Sequence, residues 1–94
     1  MGRDCSPLYK AAGGGHKAIV QLLLRKGAPA KAVNEDDNTP VHLVAKYGHT
    51  SILELLLGEG ASVDAINKFS ETPLHLAAQN GETSMMKLLL EKVP

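Results

Sequence analysis

There is no tryptophan in this chain, and only one phenylalanine and two tyrosines among 94 residues. A core without large aromatics must be built from Leu, Ala, Val and Ile, which suits packed helices better than a sandwich of sheets. Cysteine is equally scarce. Cys5 stands alone, so no internal disulfide is possible, and a reduced, intracellular compartment, cytoplasmic or nuclear, is the expectation. Neither sign of charge is in excess: ten basic residues face ten acidic ones. A chain so balanced lacks the electrostatic footprint of a nucleic-acid or anionic-lipid binder. No apolar run approaches the roughly 18–20 residues that cross a bilayer, and no basic-then-apolar leader opens the chain. The partner expected is therefore neither nucleic acid nor membrane. The opening Met1-Gly2-Arg3-Asp4-Cys5-Ser6 fits the loose pattern for N-myristoylation, but the repeat described next accounts for Ser6 without it.

What the sequence does have is repetition. Ser6-Pro7-Leu8-Tyr9 returns as Thr39-Pro40-Val41-His42 and as Thr72-Pro73-Leu74-His75, so the prolines recur every 33 residues. Ala11-Ala12, Val44-Ala45 and Ala77-Ala78 keep the register, as do Gly15-His16, Gly48-His49 and Gly81-Glu82. The apolar run Ile19-Val20-Gln21-Leu22-Leu23-Leu24 recurs at Ile52 and, with two methionines, at Met85. Gly27-Ala28 matches Gly60-Ala61, and the third unit breaks off at Val93-Pro94. A hydrophobic fraction of 44% is that of a folded globular protein. Self-similarity at this period is the signature of a solenoid.

Each unit has a physical reading. Thr39 and Thr72 are N-caps, whose hydroxyls can accept from the first unpaired amides of a helix. Pro40 and Pro73 follow at the first helical position, where no amide donor is needed. A short helix then runs to Lys46 or Gln79, and Gly48 or Gly81 ends it. In the second helix, Ile52, Leu53, Leu55, Leu56 and Leu57 form a stripe too broad for one buried face. It fits a helix with neighbours on both sides. Gly60-Ala61 stops that helix, and the polar stretch 62–71 has room for a hairpin turn.

The pattern T-P-L-H-x-A-A-x-x-G-H followed by I-V-x-L-L-L-x-x-G-A resembles the ankyrin repeat across essentially the whole chain. The resemblance implies an all-α fold: a solenoid of stacked helix-turn-helix units joined by β-hairpin-like loops. One domain is expected over residues 1–94, with repeats at about 1–33, 34–66 and 67–94, the last truncated. The resemblance also implies that the histidines of the second and third units belong to the framework, His42 bonding Thr39 and His75 bonding Thr72. Ser6, Pro7, Pro40 and Pro73 complete the framework motif. Three departures stand out. Asp36-Asp37 and Phe69-Ser70 sit where the family carries Asp-Gly, so neither tip has the glycine that tolerates positive φ. Tyr9 replaces His. Gly13-Gly14-Gly15 occupies a helical ending, and at about 1 kcal/mol per glycine the first helix is expected to fray early.

Chemistry has little foothold. Four histidines at equivalent repeat positions form a ladder without any metal, and no zinc-type Cys/His spacing occurs. Gly13-Gly14-Gly15 lacks the Lys-Ser/Thr of a phosphate loop. No metal, cofactor or catalytic residue is expected, and the chain is not expected to be an enzyme. The expected function is binding of another protein, and the resemblance puts the contacts on the hairpin tips and first helices. Those positions are Arg3, Cys5, Gly13 and Gly14 in the first unit. In the second they are Glu35, Asp36, Asn38, Lys46 and Tyr47, and in the third Lys68, Phe69, Glu71, Gln79 and Asn80. The alternative is a structural spacer, or a segment of a longer array within a scaffold protein. Met85, Met86, Leu88, Leu89 and Leu90 lie on a terminal helix with no later repeat to cover them, so weak self-association through the end repeats is also expected.

Overall fold

The computed structural model describes residues 7–92. Over that span there are six helices: α1 (Pro7–Gly14), α2 (Lys17–Arg25), α3 (Pro40–Tyr47), α4 (Thr50–Gly58), α5 (Pro73–Gln79) and α6 (Thr83–Lys92). Among the described residues there is no strand. The helices pair as α1–α2, α3–α4 and α5–α6, and the pairs stack in chain order. The odd helices form one layer, α1 on α3 on α5, and the even helices the other. Arg3, Cys5 and Ser6 lie outside the described residues, as do Val93 and Pro94.

The helix starts are set as the motif requires. Thr39 accepts a hydrogen bond from the amide of His42, and the His42 ring accepts one back from the amide of Thr39. Thr72 and His75 form the same reciprocal cap. Two orphan donors are satisfied at each helix start, an arrangement worth about 1 kcal/mol per cap. Gly48 closes α3 in the left-handed region at φ 76°, which glycine enters without steric penalty.

The first helix does not stop short. It runs through Gly13 and Gly14, and the left-handed residue is Gly15, in register with Gly48. Packing outweighs the glycine penalty here. Leu8, Ala11 and Ala12 are buried, and Gly13 lets the next unit come close. A Cβ at Gly13 would lie 3.1 Å from Leu43 Cδ1.

One core, dominated by Leu, Ile, Val and Ala, runs through all three pairs. Equivalent positions show which way each face looks. Ile52 and Met85 are buried while Ile19 is 50% exposed, so this position faces the preceding unit. Val20 and Leu53 are fully buried while Met86 is only partly so, and this position faces the following one. The broad apolar stripe is thus two stripes, one for each neighbour.

Candidate partner-binding surface

The loops between pairs are built around two asparagines. Asn34 Oδ1 accepts from the amides of Asp36 at 2.9 Å and Asn38 at 3.0 Å. Asn67 Oδ1 accepts from the amides of Phe69 and Glu71, both at 2.9 Å. Backbone bonds from Asn34 to Asn38 and from Asp37 back to Asn34 close a three-residue hairpin loop, and Asn67, Ser70 and Glu71 repeat it. Such loops put their last residue in the left-handed region. Asp37 and Ser70 take that role, at φ 62° and 61°. The tips turn as a glycine-bearing tip would, with L-residues in the strained place.

Neighbouring units are tied together side to side. Asn67 Nδ2 donates to Asn38 Oδ1 at 2.8 Å, and Asn34 Nδ2 donates to the Tyr9 hydroxyl. The Lys68 amide donates to the Asp36 carbonyl at 2.8 Å, with the Lys68 ammonium 3.7 Å from the Asp36 carboxylate. Deeper down, His42 Nε2 donates to the Glu71 carbonyl at 2.9 Å. Its Nδ1 accepts from the Thr39 amide at 3.0 Å, which fixes the neutral Nε2–H form. Burial holds His42 below the usual histidine range. His49 Nε2 bonds the Gly13 carbonyl at 3.1 Å. His42 and His49 are therefore spent on joining units. His75, in the outermost pair, is exposed.

Between the tips and the odd helices lies a groove of about 440 Å³. It gathers most of the residues expected on the binding face: Asp36, Asn38, Lys46 and Tyr47 from the second unit, and Phe69, Glu71, Gln79 and Asn80 from the third. Glu35 and Lys68 lie on the tips but outside the groove lining, and Gly13 and Gly14 do not reach it. Tyr9, Asn34, Leu43, Asn67 and Leu76 also line it, and none of these five was expected from the sequence. For the asparagines a signal existed: Asn34 and Asn67 recur one period apart, and asparagine side chains bond their own backbone two residues on.

The groove is polar and preset. Glu71 accepts from Asn67 Nδ2 at 2.9 Å and Gln79 Nε2 at 3.0 Å, and these bonds hold its carboxyl below the usual carboxylate range. Asn80 Nδ2 donates to the Lys46 carbonyl at 3.0 Å. Burial pushes the Tyr9 phenol above the usual tyrosine range. Two aromatic rings stand out from this frame. Tyr47 is 51% exposed and Phe69 is 61% exposed. The Tyr47 ring has the Lys46 ammonium 5.4 Å from its centroid and the His49 ring at 6.3 Å. Ile66, also exposed, sits three residues before Phe69.

Comparison with known proteins adds one finding. A family model described as ankyrin repeats (3 copies) matches residues 2–67 and 41–93. No curated protein matches the chain. Among the described residues, no helix is long and apolar enough to cross a membrane.

Proposed function

The chain belongs to the ankyrin-repeat family, and we propose on that premise that it binds a protein partner in the groove between the hairpin tips and the odd helices. Ankyrin repeats are, as a class, protein–protein interaction modules. The domain is read as a single unit of three repeats, at about 1–33, 34–66 and 67–94. The observation that carries the proposal is the pairing of two exposed aromatics with a fixed polar floor. Tyr47 and Phe69 offer apolar area with few rotamers to lose, and aromatic anchors of this kind dominate interface energies. The Asn34 and Asn67 turns hold the floor before any partner arrives, so little ordering entropy remains to be lost on binding. Arg3 and Cys5 lie outside the described residues and carry no part of this proposal.

The experiment is selection of a peptide or domain library against the native protein, with counter-selection against a Tyr47→Ala/Phe69→Ala variant. Binders that survive should bind the native chain and lose at least about tenfold in affinity for Phe69→Ala, an effect of about 1.4 kcal/mol. The melting temperature of Phe69→Ala should stay close to native. Phe69→Ala that melts many degrees lower while keeping full affinity would make Phe69 a packing residue and overturn the proposal.

A further inference from the structure

The two ends of the stack are the two halves of one interface. That interface is made twice inside the chain, α1–α2 against α3–α4 and α3–α4 against α5–α6. The half that faces backward ends on α1–α2, where Ile19 and Leu22 are 50% and 53% exposed. The half that faces forward ends on α5–α6, where Leu90 is 54% exposed and Leu74, Ala78 and Met86 line a small, mostly apolar hollow with His75. No described residue covers either face. We propose that these faces meet between copies: the first repeat of one chain stacks on the third repeat of another, in the register of the internal stacking.

The internal contacts name the partners in that register. Leu43 packs on Gly13, so Lys10 of the second copy stands over Gln79. His49 Nε2 bonds the Gly13 carbonyl, so His16 of the second copy reaches the Gln79 carbonyl. Arg25 and Glu59 line one cleft between the first and second units, and across copies that pair becomes Glu91 and Lys26, with the charges exchanged. Lys92 Nζ lies 3.3 Å from Glu54, and the corresponding pair across copies is Lys26 and Lys87. Lys26 thus meets one unlike and one like charge, and the apolar contacts decide.

The register of the internal stacking, backward face on forward face, pairs a first repeat with a third, and charge disfavours the contact of two first repeats. Residues 7–34 carry five basic residues and no acidic one, whereas residues 67–92 carry three of each. Two first repeats face to face would oppose like charge with like charge. A first repeat on a third repeat would not. A contact of this head-to-tail kind does not close on itself, so it builds open chains of copies and not a fixed dimer.

The test uses a disulfide to report the register. A Cβ at Gly13 would be 3.9 Å from Leu43 Cβ, inside the range of about 3.5–4.5 Å that a disulfide spans. The corresponding pair between copies is Lys10→Cys with Gln79→Cys, placed in a Cys5→Ser background. Mild oxidation should give dimers and higher multimers of this variant faster than of a Lys10→Cys/Ser51→Cys control. Sedimentation equilibrium of the native chain should show a mass that rises with concentration, and Ile19→Glu/Leu22→Glu should abolish the rise while still melting cooperatively. A native chain that stays monomeric up to millimolar concentration overturns the proposal. So do equal cross-linking rates in the two variants, or Lys10→Cys alone dimerising as fast as the pair.

Discussion

Ile52 and Ile19 are the same residue at the same place, third in the outer helices α4 and α2. One is 1% exposed and the other 50%. His42 and His75 make the same comparison in the inner layer. Both cap their own helix through a threonine, but His42 is fully buried and reaches on to the Glu71 carbonyl, while His75 is exposed. The motif within a repeat assigns the local job, the cap or the helix face. The neighbouring repeat assigns burial, and with it most of the energy. In a solenoid the same residue therefore has two values, one in the middle and one at the end.

The isoleucines should show the largest difference in stability between a middle and an end position. Ile52→Ala removes buried atoms and leaves a cavity, and is expected to lower stability by about 3 kcal/mol. Ile19→Ala should change it by less than about 1 kcal/mol, because half of its surface is already in water. Urea denaturation of the two variants beside the native chain, at a dilution where copies do not stack, measures both. Equal losses at that dilution would mean that the α1–α2 face is covered within the single chain, and the distinction between middle and end would fail.

The histidines should differ in the same direction by less. His42→Ala strips a buried acceptor from the Thr39 amide and a donor from the Glu71 carbonyl, each costly to leave unpaired in the interior. The expected loss is about 2–3 kcal/mol, against about 1 kcal/mol for His75→Ala, which loses only a cap. His42 also carries a pH signature. Its folded pKa lies below its unfolded value of about 6.5, so near and below that pH the unfolded chain binds more protons than the folded one. This part of the stability is fully present above about pH 6.5 and is lost as pH falls toward the folded pKa. Urea midpoints between pH 7.5 and pH 5 should drop for the native chain. His42→Ala should lack that component of the drop. An identical pH dependence in both proteins would show that the buried histidine is not the titrating group.

Much of this was legible beforehand because stacking repeats its signals. Thr39-Pro40 and Thr72-Pro73 mark helix starts by capping chemistry alone, and Gly48 marks an end because glycine enters the left-handed region without penalty. The broad Ile52–Leu57 stripe called for two neighbours, and the buried faces of α4 supply them. The fraying expected of Gly13-Gly14 did not follow, since propensity is weak beside tertiary contact: the bare Gly13 backbone is what Leu43 packs against. The groove was legible at Tyr47 and Phe69 through family position, but not at Tyr9, Leu43 or Leu76. Those three reach it through stacking between units, which a single repeat does not encode.

The smallest effect expected is at the hairpin tips, where the second and third repeats differ in chemistry and agree in backbone. Asp37 and Ser70 occupy the left-handed region at nearly the same φ, a conformation that disfavours most L-residues by about 1–2 kcal/mol. Asp is among the few residue types that enter it readily, whereas Ser gains no such help. Glycine removes the clash but adds freedom to the unfolded chain, an offset of about 0.4–1 kcal/mol. Ser70→Gly should therefore stabilise by about 0.5 kcal/mol, or about 2–4 °C in melting temperature for a domain of this size. Asp37→Gly should come out near zero, because less strain is there to relieve and Asp37 has interactions of its own to lose. Thermal melts of the two single variants and the double variant give the answer. Because Asn67 holds the loop through the amides of Phe69 and Glu71, Ser70→Gly should leave the Phe69 ring where it is and partner affinity unchanged. A gain at Asp37→Gly larger than at Ser70→Gly would mean that the aspartate is the more strained of the two. A loss at Ser70→Gly would mean that the serine side chain contributes to the tip more than its backbone conformation costs.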